Sequence, residues 1–162
     1  SYDHKYTYTH AGYNLKATDM QAAVGLVQLG RLARFVKARR ENFDALKAGL
    51  KRFEEFLILP EVTADSEASW FGLPLTVREG APFKREALTS HLAAAKVGTR
   101  LLFGGNIARQ PYFKGVPHRQ VGDLTNADRV MRGTFWVGVH PGIDAARRAH
   151  MLASFATFFK AL

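Results

Sequence analysis

The strongest constraint on this chain is an apolar stripe on residues 31–54. Leu32, Val36, Phe43, Leu46, Leu50 and Phe53 recur at alternating fours and threes, with Arg39 in one seam position. That spacing lines one face of an α-helix. Arg34, Lys37, Arg40, Lys47 and Lys51 occupy the other face, which therefore stays in water. The stripe must be buried against something, either a second helix in a coiled coil or a sheet. A helix laid on a sheet is the favoured reading.

The rest of the sequence provides for such a sheet. Runs of strand character fall at 57–59, 70–77, 97–103 and 134–139, and Pro74 assigns the second of these to an edge or a bulge. Helical patterns cover 83–95, Thr125 to about Met131, and a final amphipathic segment. That last segment is capped by Asp144 and carries Met151, Leu152, Phe155, Phe158 and Phe159. Thr125 with Asp128 has the spacing of a capping box, as does Thr18 with Gln21 further upstream. After Thr18 the run MQAAVGLVQL is small and apolar almost all round, which predicts a short helix buried on several sides and broken at Gly30. Residues 104–122 hold four Gly and two Pro and read as loop. Residues 1–17 read as an extended loop, and 18–162 as one folded domain. The expected class is α/β in the sense of an α+β sandwich, with a small sheet of about three to four strands packed against helices.

Composition narrows the function. With no Cys, this chain alone builds no disulfide, thiolate metal site, cysteine nucleophile or iron–sulfur cluster. No apolar run approaches the roughly 20 residues of a membrane span, and the polar start SYDHKYTYTH is no signal-peptide core. The first residue is Ser rather than Met, so the chain is expected to be processed, tagged or cut from something longer.

The six His are scattered at 4, 10, 91, 118, 140 and 150, without the spacing of a metal-ligand pair. No G-x-S-x-G elbow is present. The formal charge of +9 and the five cations of residues 31–40 raise nucleic-acid binding as one alternative. No recognised nucleic-acid module accompanies them.

Two loops carry the better chemistry. THAGYNLKATD sets Asn14 and Lys16 beside a helix N-terminus, a combination of donors suited to an anion. GTRLLFGGNIARQPYF combines Arg100 and Arg109 with Asn106, Gln110, Tyr112 and flexible glycines. Guanidinium groups can grip a diphosphate with two parallel bonds. In both loops the plainer alternative is a turn with solvated charges.

The segments HAGYNLKATDMQAAVGLVQLGRL, SWFGLPL, GTRLLFGGNIARQPYF and TFWVGVHPG resemble the DegT-type family of nucleotide-sugar aminotransferases and dehydratases, fold type I enzymes that use pyridoxal phosphate (PLP). The likeness runs over essentially the whole chain. It is closest to the branch that acts as CDP-4-keto-6-deoxyglucose 3-dehydrase in lipopolysaccharide biosynthesis. Where aminotransferases usually carry a His-containing stretch, this sequence has LLFGGN, which favours the dehydrase branch.

The resemblance implies that the chain is the C-terminal small domain of such an enzyme. The large PLP-binding domain and the catalytic residues would then lie upstream of residue 1, so none can be assigned here. His4 and His10 are not the catalytic histidine, and His140 is a structural turn residue. Asn14 and Lys16 would bind the cofactor phosphate of the neighbouring subunit. Arg100, Phe103, Asn106, Arg109 and Tyr112 would line the CDP-sugar site.

The implied reaction removes the C3 hydroxyl of a CDP-4-keto-6-deoxyhexose. PLP or its amine form, PMP, acts as the electron sink, and a reductase partner feeds electrons through a 2Fe-2S cluster held upstream. A cytoplasmic homodimer is implied for the intact enzyme, and the isolated chain is expected to retain no cofactor and to be inactive. A sugar aminotransferase of the same family is the nearest alternative, and a basic nucleic-acid-binding or scaffolding module is the alternative of another class.

Overall fold

The computed structural model describes Tyr13 and residues 15–162, which divide at Arg34/Phe35 between two units. The expectation of an extended loop over 1–17 lies largely outside the described residues. Helix α1 spans Asp19–Leu50 and runs on into a 3-10 turn at Lys51–Phe53. Its start is the predicted capping box. The Thr18 backbone N–H donates to Gln21 Oε1 at 2.8 Å, and the Gln21 N–H donates to Thr18 Oγ1 at 3.3 Å.

Two expectations for α1 are overturned. Gly30 does not break it. One glycine costs a helix only about 1 kcal/mol relative to alanine, and its flanks are strong helix formers. Nor is the run after Thr18 buried. Met20, Val24, Leu26, Val27 and Leu29 are all exposed.

In the second unit, strands β1 (Leu57–Ile58), β2 (Gly72–Val77), β3 (Thr99–Leu101) and β4 (Thr134–Gly138) form one sheet in the order β1-β2-β4-β3. Every pairing is antiparallel. Helices α2 (Arg85–Ala94), α3 (Thr125–Gly133) and α4 (Ala145–Lys160) complete the fold. This is the expected small sheet with helices.

Alternation decides which sheet face is buried. Leu73, Leu75 and Val77 of β2 point the same way as Phe135 and Val137 of β4, and all five are buried. They meet Phe43, Leu46 and Leu50 of α1, Leu88 and Leu92 of α2, and Met151, Phe155 and Phe159 of α4 in one core. The α1 stripe is therefore a sheet-packing face from Phe43 onward, not a coiled-coil seam. Pro74 pairs with Trp136 of β4. On its other side β1 reaches only Val77 and Thr76, so Pro74 sits where β2 has one neighbouring strand.

One buried polar residue ties this core together. Asn42 is 1% exposed. Its amide nitrogen donates to the carbonyls of His140, at 2.8 Å, and Val139, at 3.5 Å, while its oxygen accepts from Arg148 at 2.6 Å. A single side chain thus joins α1, the turn after β4, and α4. His140 has the structural role expected of it, since its Nδ1 also accepts the Gly142 N–H at 3.0 Å.

Candidate functional site

Strand β3 delivers the chain to the second candidate loop, at the edge of the sheet. Arg100 is paired with Trp136 across β3 and β4. The Trp136 indole N–H donates to the Leu101 carbonyl at 3.1 Å, which fixes the point where the loop leaves the strand. The backbone then enters left-handed conformations at Phe103 (φ 50°) and Gly105 (φ 66°). Glycine takes that region freely, whereas a phenylalanine does so only when its surroundings hold it there. Two short 3-10 turns follow, Ile107–Arg109 and Pro111–Phe113.

A hydrogen-bond network anchors the loop to α3. Asn106 is 4% exposed. Its Oδ1 accepts the Ala108 N–H at 3.1 Å, and its Nδ2 donates to Asp128 Oδ1 at 2.8 Å. Arg109 closes on the same carboxylate with two bonds, Nε to Oδ1 at 3.2 Å and Nη2 to Oδ2 at 3.0 Å. Gln110 Nε2 donates back to the Gly104 carbonyl at 2.8 Å.

From the spacing, Asp128 is expected to close a capping box with Thr125. It does not. Leu124 takes the cap position with φ 60°, the Thr125 N–H donates to Asp123 Oδ1 at 3.0 Å, and Asp128 is free to face the loop. The signal for this role is weak in the sequence, because Asp128 meets its partners 19 and 22 residues away. No periodicity links such positions.

The nominated residues therefore fall into distinct settings. Asn106 and Arg109 are brought together on Asp128. Phe103 and Tyr112 are exposed. Arg100 donates to its neighbour, the Thr99 carbonyl, and its side chain is exposed. Lys16 is exposed and belongs to the first unit, while Asn14, His4 and His10 lie outside the described residues. Among the described residues no three His, Cys, Asp or Glu side chains cluster to hold a metal, and no helix is long and apolar enough to cross a membrane.

The Arg109 fork, then the Asn106 amide, hold the Asp128 carboxyl below the usual carboxylate range, and Arg132 adds a smaller favourable field. A depressed native pKa stabilises the docked loop above the unfolded value of about 3.9, and that contribution is lost as pH falls further, through the native value. Loop docking is thus expected to be flat from pH 5 to 8 and to weaken below about pH 4. An NMR titration of the Asn106 side-chain amide checks this, and Asp128→Asn is expected to remove the acid transition.

The profile of the DegT/DnrJ/EryC1/StrS aminotransferase family matches residues 1–156, and the chain belongs to that family. It is 54% identical over 158 residues to the lipopolysaccharide biosynthesis protein RfbH of Salmonella typhimurium, covering 98% of this chain and 36% of that protein. It is 48% identical over 157 residues to the dTDP-4-dehydro-2,6-dideoxy-D-glucose 3-dehydratase of Saccharopolyspora spinosa, covering 97% of this chain and 34% of that one. The chain thus spans about a third of the length of these relatives. Its fold matches E. coli GDP-4-keto-6-deoxy-D-mannose-3-dehydratase with bound hydrated PLP, with a TM-score of 0.83 at 22% identity over 93% of this chain and 38% of that one.

Proposed function

We propose that this chain is the C-terminal part of a PLP-dependent nucleotide-sugar 3-dehydratase of deoxysugar and lipopolysaccharide biosynthesis, with a CDP-4-keto-6-deoxyhexose as substrate. The observation that carries the reading is 48% identity, across 97% of the chain, to a sugar 3-dehydratase. In this reading Arg100, Phe103, Arg109 and Tyr112 form the sugar-nucleotide side of the site, and Asn106, nominated with them but buried with both ends of its amide engaged, supports them from behind. An arginine-bearing loop with a rigid base suits an anionic diphosphate.

The chain's own residues fit one part of the cofactor. Lys16 is an exposed cation two residues before the Thr18 cap of α1, a donor suited to a phosphate. Lys16 and Asn14 would hold the phosphate of a neighbouring subunit's cofactor in a homodimer. The groups that grip the ring are assigned to the upstream domain. When bound, PLP or PMP supplies an electron sink for bond breaking beside the sugar carbonyl. A reductase acting through an upstream 2Fe-2S cluster completes the proposed system in the cytoplasm.

The test uses the full-length enzyme with PMP, a reductase and CDP-4-keto-6-deoxyglucose, read by mass spectrometry. Loss of the C3 oxygen supports the reading. A 4-amino sugar formed with glutamate as donor favours the aminotransferase alternative instead. Comparison with the dTDP and GDP sugars checks the base, and the largest kcat/KM is expected for CDP.

Two further outcomes are expected. Asn14→Ala in the full-length enzyme weakens cofactor retention by about 1.5–3 kcal/mol, the worth of a hydrogen bond to a charged group. Equilibrium dialysis of PLP measures it, and unchanged affinity removes the role. The isolated 162-residue chain is expected to retain no PLP and to show no turnover. Visible PLP absorbance carried through gel filtration would contradict that.

A further inference from the structure

We infer that Asp128 is the positioning residue of this site: its carboxylate clamps Asn106 and Arg109 and so fixes the loop that displays Phe103 to a nucleotide. The inference rests on the proposed reading of that loop as the sugar-nucleotide site.

The geometry is that of a clamp rather than a chance ion pair. Both carboxylate oxygens of Asp128 are used, and three donor atoms from two residues converge on them. The Asp128 side chain is 13% exposed, against 53% for its Arg109 partner, so the anchor is covered while the loop faces water. Asn106 spans the gap. One end of its amide holds Asp128, and the other caps the Ile107–Arg109 turn. An asparagine so deeply buried is a stiff link, because releasing it would leave polar atoms buried without partners.

The loop has what a displayed binding surface needs. Phe103 is 79% exposed, although its backbone is held at φ 50°. Ile107 and Tyr112 are exposed on the same short stretch. Exposed aromatic rings on an ordered loop can stack a base with little ordering cost at binding. On the far side of the loop, Gly105 lies against Met131 of α3, one helical turn from Asp128. In this arrangement the Asp128 carboxylate is engaged by Asn106 and Arg109 rather than offered to a ligand. It acts through Asn106 and Arg109.

This separates it from a merely structural residue. Loss of a structural residue lowers the amount of active enzyme. Loss of the clamp loosens the binding loop and raises KM with kcat nearly unchanged.

The test uses the full-length enzyme, with CDP binding by calorimetry and steady-state kinetics side by side. Asp128→Ala is expected to weaken CDP and raise KM about tenfold or more, with kcat within about twofold. Asp128→Glu, which keeps the charge and both oxygens, is expected to recover most of that loss. Arg109→Lys keeps the charge and loses the fork; it is expected to weaken CDP about threefold even if Asp128→Ala fails to fold.

Wild-type binding that Asp128→Ala, folded, or Arg109→Lys leaves unchanged overturns the inference alone. No CDP binding by the wild type overturns the reading of the site and the inference with it. A fall in kcat at constant KM assigns Asp128 elsewhere and also overturns it.

Discussion

Replacing Asn42 by alanine is expected to destabilise the sheet-bearing unit by about 2–4 kcal/mol. The cost is set by what the substitution leaves behind. Asn42 is buried, donates to the His140 and Val139 carbonyls, and accepts from Arg148. Alanine removes all of these bonds and puts nothing in their place. The Arg148 guanidinium loses its shortest hydrogen bond and keeps a 3.5 Å approach to the Ile143 carbonyl and the field of Asp144. Each polar group left buried without a partner costs about 1–3 kcal/mol. For a unit of this size the loss corresponds to a fall in Tm of about 10 °C. Asn42→Asp is the informative companion, since it keeps an acceptor for Arg148 and loses the donor to His140. It is expected to lie between wild type and alanine when unfolding is followed by circular dichroism in urea. Equal stability of all three proteins would remove Asn42 from the core.

Asn42 also shows what the sequence conceals. In the heptad-like pattern it is the neighbour of Phe43, a polar residue beside a mostly apolar stripe, and nothing local marks it as the joint between three elements. The apolar positions were legible because burial imposes a period. Leu73, Leu75 and Val77 alternate as a half-buried strand must, and Met151, Phe155 and Phe159 keep the helical step. Caps were legible wherever both partners are close in sequence. Thr18 with Gln21 formed as expected, and Asp144 accepts the Arg147 N–H at 2.8 Å. The same rule misread Thr125 with Asp128, because a long-range pair outcompeted the local cap. Gly30 misled in the other direction, since propensity alone does not end a helix flanked by strong formers. At the site, residue types were legible and connections were not. Arg109 reads in the sequence as a guanidinium suited to a diphosphate, yet it spends two bonds on Asp128. Its remaining donors, and the face it presents, are set by a partner that only the fold brings near.

Gly105→Ala is expected to undock the loop from α3, the largest effect at the site. Backbone conformation and steric contact both oppose the added methyl group. The residue has φ 66°, which an alanine adopts at a cost of about 1 kcal/mol. A Cβ there would also lie 2.6 Å from the Met131 Cα and 2.5 Å from its Cβ. Those atoms belong to the helix itself and cannot rotate aside as a side-chain tip can. The chain must therefore move the loop or the helix, and α3 is held at its C-terminal end by Arg85, which donates to the Met131 carbonyl at 2.7 Å. The loop gives way. Hydrogen exchange across residues 102–110 is expected to accelerate about a hundredfold, the equivalent of about 2.7 kcal/mol of lost docking. Nucleotide binding should fall with it. Gly98→Ala is the matched control, since no atom lies within 4 Å of its Cβ position. There the substitution is expected to be neutral or to stabilise slightly, by about 0.4–1 kcal/mol, through the unfolded chain. If Gly105→Ala exchanges like wild type, the loop is not packed on Met131, and the rigid base that the proposed site requires is gone.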